Sequence, residues 1–131
     1  MKFSTTTRYG LRAIVYIARK GAISSVREIS AAEDIPVPYL EKIILKLSKA
    51  GFIKVKHGAN GGYYLSRPAN KISVDEIVTT LEKTTYPAPC LEKGYGCPRL
   101  KDCPTHSIWG KIDRSIHETL GKITLENLIK R

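Results

Sequence analysis

Residues 36–68 read PVPYLEKIILKLSKAGFIKVKHGANGGYYLSRP, and the change of period inside this stretch decides the fold. Leu40, Ile43, Ile44 and Leu47 recur at the spacing that lines one helical face. They predict a helix from about Pro38 to Ala50, stopped by Gly51. Tyr39, Glu41, Lys42, Lys46 and Lys49 fall on its outward faces. After it, Phe52, Val55, Tyr63, Tyr64 and Leu65 are strand formers on either side of Gly58-Ala59-Asn60-Gly61-Gly62, a turn that supplies positive φ. Residues 52–57 and 62–66 therefore read as a β-hairpin carrying Lys54, Lys56, His57 and Asn60.

Just upstream, Ser25 and Glu28 stand at the spacing of a capping box and open a short helix that ends near Glu33. Glu33-Asp34-Ile35-Pro36 breaks it. Two short helices, a tight turn, a lysine-rich second helix and a hairpin make a winged helix-turn-helix of residues 1–68. In such a head the second helix enters the major groove, and the wing lies along the backbone or in the minor groove. Tyr39, Glu41, Lys42 and Lys46 are the candidate reading residues on the helix. Lys54, Lys56, His57 and Asn60 are the candidates on the wing.

Further outward, residues 5–20 read as a first helix with Leu11, Ile14, Val15 and Ala18 on one face, Ser4 or Thr5 as cap and Gly21 at its end. Arg8, Arg12 and Arg19 fall mainly off that face and read as solvated. On the other side, Ser73 and Glu76 repeat the capping-box spacing, and Val74, Ile77, Val78 and Leu81 line a connecting helix within residues 69–89. Residues 107–131 hold a long helix and, capped by Thr124, a short last one. Trp109, Ile112, Ile116 and Leu120 form the stripe of the long helix, and in so small a chain either the chain's own winged domain or a partner must cover them; a homodimer seam is the favoured cover. The fold class is mainly α, with a small β-hairpin wing and a long dimerisation helix.

Between the connecting helix and the long one lies a loop, residues 90–106, that holds all three cysteines of the chain and ends on a histidine. Six residues separate Cys90 from Cys97, five separate Cys97 from Cys103, and two separate Cys103 from His106. Gly94, Gly96, Pro98 and Pro104 favour a looping backbone that can bend its side chains around one centre. Three thiols and an imidazole suit zinc, Cu(I) or an iron-sulfur cluster. Lys93, Arg99 and Lys101 favour thiolate over thiol. An odd number of cysteines argues against a closed set of structural disulfides.

The net charge is +10, and residues 1–66 alone carry 11 Lys and Arg against 4 Asp and Glu. The excess sits in the half without cysteines and suits a polyanion, nucleic acid before an anionic membrane. No apolar run approaches the roughly 20 residues that span a bilayer. The basic, amphipathic N-terminus lacks a signal-peptide cleavage pattern, so the expectation is a cytoplasmic protein without a membrane partner, where thiols persist. Neither a phosphate loop nor a nucleophile–base pair is present in the sequence, and an enzyme is not expected. His57 and His117 read as surface residues.

Taken together, TTTRYGLRAIVYIA, PVPYLEKIILKLSKAGFIK, HGANGGYYLSRP and the cysteine loop resemble the IscR and NsrR type of bacterial transcriptional regulator over essentially the whole chain. The resemblance implies a homodimer that reads a palindromic operator in double-stranded DNA, with a repressor as the default. It implies an iron-sulfur cluster that reports iron-sulfur status, oxygen, redox state or nitric oxide. Cys90, Cys97 and Cys103 match the family's cysteine ligands, and His106 matches a histidine that some members use as the fourth. Histidine ligation favours 2Fe-2S, while a ligand borrowed from the N-terminal helix of the other subunit would fit 4Fe-4S. The chain departs from the family in its first cysteine gap, in His57 where arginine is usual, and in Pro38 where small polar residues stand. Competing readings of the same residues are a structural zinc site, a thiol-based redox sensor, and an iron-sulfur carrier that does not bind DNA.

Overall fold

A computed structural model describes residues 2–130. The first helix, α1 (Thr5–Lys20), starts where the Ser4 side chain accepts from the Thr7 backbone N–H, and it stops where Gly21 turns left-handed. Its deepest face is Gly10, Ala13, Ile14, Ile17 and Ala18. Leu11 and Val15, expected on that face, are only half-buried and pack at its edge. The small residues draw the helix in on their side: a Cβ on Gly10 would fall 2.2 Å from Leu81 Cδ1 and 3.3 Å from Ile43 Cγ2.

Helices α2 (Val26–Glu33) and α3 (Val37–Lys49) form the helix-turn-helix, joined through Asp34 in the left-handed region and Pro36. Ser25 caps α2 by accepting from the Glu28 N–H at 3.1 Å, but the return bond of the expected capping box is not made. The Glu28 carboxylate instead accepts from Tyr16 Oη at 2.7 Å and from Lys20, tying α2 to α1. Leu40, Ile43, Ile44 and Leu47 of α3 are buried as their spacing requires.

The wing is an antiparallel pair, β1 (Ile53–Lys56) with β2 (Gly62–Leu65), in the register Ile53 to Leu65 and Val55 to Tyr63. Each strand is shorter than expected, since Phe52 and Ser66 lie outside the ladder. One feature beyond the sequence reading fixes the wing to the head. Ser24 and Tyr63 exchange backbone hydrogen bonds of 2.9 and 2.8 Å, and a Cβ on Gly62 would sit 2.5 Å from the Ser24 carbonyl oxygen.

After a 3-10 turn at Ala69–Lys71, helix α4 (Val74–Leu81) carries both halves of the Ser73–Glu76 capping box. The loop after α4 has a second 3-10 turn, at Pro89–Leu91. Then come the long α5 (His106–Gly121) and α6 (Leu125–Ile129), the latter capped by Thr124 and Asn127. The chain end returns to the head: Val74 N–H donates to Ile123 O at 2.8 Å, and Leu125 N–H to Ile72 O at 3.0 Å. One hydrophobic core therefore runs from Ile14 and Ile17 through α2 and α3 to Phe52, Ile77, Leu81 and the fully buried Leu125. Helix α5 stays outside it, with no buried residue among the sixteen in the helix. No described helix is long and apolar enough to cross a membrane.

Candidate nucleic-acid interface and cysteine loop

The buried stripe of α3 forces its other residues outward. Tyr39, Glu41, Lys42 and Lys46 are all exposed, as are Lys54, Lys56, His57 and Asn60 on the wing. Among the described residues none of these four lysines is in an ion pair, so their charge is available to a partner. The N-terminal end of α3 is braced from behind. Tyr39 meets Tyr9 edge to face at 6.0 Å, and the Arg12 guanidinium lies 5.4 Å from the Tyr9 ring centre. Arg12, exposed as its position suggested, also donates to the Glu33 backbone carbonyl. Between α3 and the wing opens a cleft of about 670 Å³ that includes Glu41, Lys42, Leu45 and Val55 in its lining.

The cysteine loop hangs between α4 and α5. Cys90, Cys97 and Cys103 are unpaired and partly exposed. The loop brings Cys90 and His106 together, with Cys90 Sγ 3.3 Å from His106 Nδ1. Cys97 and Cys103 do not join them, and among the described residues no three metal-binding side chains converge. The donor chemistry still fits a soft metal centre, because the loop offers three thiols and an imidazole in sequence and Gly94 and Gly96 are its left-handed pivots. Sites of this kind assemble with the group they bind, so convergence beforehand is not required. The Cys103 thiol is held below its ordinary range, first by the Thr105 hydroxyl at 3.2 Å and then by the backbone N–H groups of Thr105 and His106. Partial burial opposes this slightly, and Arg99 assists.

Two side chains that periodicity did not single out fix the helices on either side of this loop. Glu82, at the end of α4, accepts from the Ser4 N–H at 2.9 Å and from the Thr7 hydroxyl at 2.7 Å, which anchors the start of α1. His117, expected at the surface, is half-buried where α5 crosses α4: Nδ1 lies 2.7 Å from Asp75 Oδ1, and Nε2 lies 3.0 Å from Thr85 Oγ1 and 3.5 Å from Asp113 Oδ1. The only hint in the sequence was a histidine four residues after an aspartate on one helix.

The expected stripe on α5 lies open. Ile112, Ile116 and Leu120 join Phe3 in lining an apolar groove of about 440 Å³, with Trp109 half-exposed one turn before it.

The family model for Rrf2, an iron-dependent transcriptional regulator, matches residues 3–131. Protein rrf2 of Nitratidesulfovibrio vulgaris is 39% identical over 132 residues, which cover 99% of this chain and 88% of the relative. Among solved structures, the CymR global cysteine regulator of B. subtilis superposes with a TM-score of 0.81 at 30% identity, covering 99% of this chain and 97% of that one. IscR of T. potens gives the same TM-score, 0.81, at 32% identity, over 99% and 87%. With its exposed reading helix, wing and cysteine loop, this chain belongs to the Rrf2 family of DNA-binding transcriptional regulators.

Proposed function

We propose that the chain is a homodimeric regulator whose binding to a palindromic operator is set by an iron-sulfur cluster, 2Fe-2S in preference to 4Fe-4S, held by Cys90, Cys97, Cys103 and His106. The observation that carries this reading is the position of the loop. All three cysteines lie between α4, whose Ile77 and Leu81 belong to the core of the head, and α5, which begins at His106 and lies outside that core. The relatives named IscR support it as well.

When bound, the cluster supplies a reversible, oxygen- and nitric-oxide-sensitive link among four side chains. The chain's own residues do the rest. Residues 1–68 form the reading head, 69–89 connect it, 90–106 hold the sensor, and 107–131 pair the subunits through Trp109, Ile112, Ile116 and Leu120. Lys42, Lys46, Lys54 and Lys56 attract phosphate, while Tyr39, Glu41, His57 and Asn60 face the grooves.

A second reading, a thiol sensor, is favoured by the lowered Cys103 thiol and the Cys90–His106 contact. A structural neighbour described as a global cysteine regulator points the same way. The deciding experiment is purification without oxygen, followed by a visible spectrum, iron and sulfide analysis, and operator binding before and after exposure to air. Visible absorption with stoichiometric iron and sulfide, and a change in DNA affinity on its loss, are the expected results. Colourless protein that takes up only zinc, or whose affinity responds only to thiol oxidants and reductants, overturns the cluster reading.

A further inference from the structure

Helix α3 presents two neighbouring stripes to solvent. Lys42, Lys46 and Lys49 form one; Pro38, Glu41, Leu45 and Ser48 form the other, and this second stripe lines the cleft toward the wing. Leu45 is 54% exposed, although Leu40 and Leu47 of the same helix are fully buried. Across the cleft Val55 of β1 is 39% exposed, so two aliphatic side chains face each other without cover. An apolar floor beside a row of lysines calls for an occupant that is strongly anionic yet has an apolar spot. In duplex DNA the major groove offers one such spot, the 5-methyl group of thymine.

We propose that this cleft reads a thymine methyl group and that Leu45 is its specificity-determining residue. The proposal rests on the DNA-reading role of α3 given above and deepens it. Leu45 follows Glu41 by one turn on the same stripe, about 6 Å along the axis. Since base pairs are spaced by about 3.4 Å, the thymine lies one or two base pairs from any cytosine amino group that Glu41 accepts from. Charge complementarity excludes an apolar protein segment as the first choice of occupant, because Lys42 lies in the cleft and Lys46 and Lys49 run beside it.

The test uses the full chain, purified without oxygen, and an operator selected with it from a random duplex library. Each thymine is then replaced in turn by deoxyuridine, which lacks only the methyl group, and Kd is measured for wild type, Leu45→Ala, Leu45→Met and Lys42→Ala. For wild type, one replacement in each half-site should weaken binding roughly fourfold, the worth of one buried methyl group. Leu45→Met and Lys42→Ala should keep that sensitivity, and Leu45→Ala should lose it. If wild type and Leu45→Ala both bind the operator specifically but respond alike to every replacement, the assignment of Leu45 is wrong. If wild type selects no sequence at all, the DNA-reading role falls and the proposal falls with it.

Discussion

Glu82 shows how much one side chain can carry. Its carboxylate takes a backbone N–H and a hydroxyl from the first turn of α1, and it stands eight residues before Cys90. Partial burial pushes its pKa up, but the hydrogen bonds from Ser4 and Thr7 win, and the group ionises below its ordinary range. The stability this contributes is therefore present above the unfolded carboxylate pKa and is lost as pH falls through the lower native value. Glu82→Gln keeps the shape and removes the charge. It should cost about 1 kcal/mol at neutral pH, since the group is partly solvated, or roughly 4 °C in Tm. The gap between the two Tm curves should close on acidification, and a constant gap down to acid pH would show that the charge is not what matters. At the next sensitive position, Cys97→Ser removes one of the proposed ligands and leaves the loop's other residues in place. The variant, prepared anaerobically with iron and sulfide, should lose the visible absorption of wild type; retention of a full spectrum would remove Cys97 from the ligand set.

At the scale of elements, the lysines of α3 and the wing should act as independent phosphate contacts. Replacing any one of Lys42, Lys46, Lys54 or Lys56 by alanine should weaken binding to all sequences alike and reduce the salt dependence by roughly one. Slopes unchanged in all four variants would place the basic face elsewhere. These elements were legible in the sequence because each depends on local signals: the α3 stripe, the caps at Ser4, Ser73 and Thr124, and the Gly58–Gly62 turn. What stayed hidden depends on partners distant in the chain. The face of α1 was set by Gly10 meeting Leu81, which a search for large apolar residues passes over. Glu28 had a better use across the helix pair than within its own cap, and Ser24 found its backbone partner in Tyr63. The candidate site divided in the same way. Outward positions on α3 and the wing follow from the stripe beneath them, whereas the meeting of Cys90 with His106 and the seat of His117 arise from how α5 folds back.

At the scale of the whole molecule, α5 links the cysteine loop to the head. Its apolar side is open in one chain, since Ile112, Ile116 and Leu120 line a groove with Phe3 and no residue of the helix is buried. A second copy of the same helix would cover that face with like chemistry, and a two-fold axis through it would set two α3 helices at a fixed separation on DNA. His117 makes the angle of α5 to the head definite by reaching Asp75 on α4 and Thr85 beyond it. The cysteine loop enters α5 at His106, so drawing its ligands together would act on the same joint from the other end. A carboxylate buried in such a seam would lose its hydration, and Ile116→Glu should therefore dissociate the proposed dimer without disturbing the core, from which α5 is absent. Sedimentation of wild type and variant at micromolar concentration measures the first effect. Binding to an operator with two half-sites should fall by roughly a hundredfold or more, the loss expected when two linked contacts become independent. Binding to a single half-site should barely change. A wild type that is monomeric at micromolar concentration, or a variant that loses both modes equally, would mean that α5 belongs to the chain's own packing and not to a seam between copies.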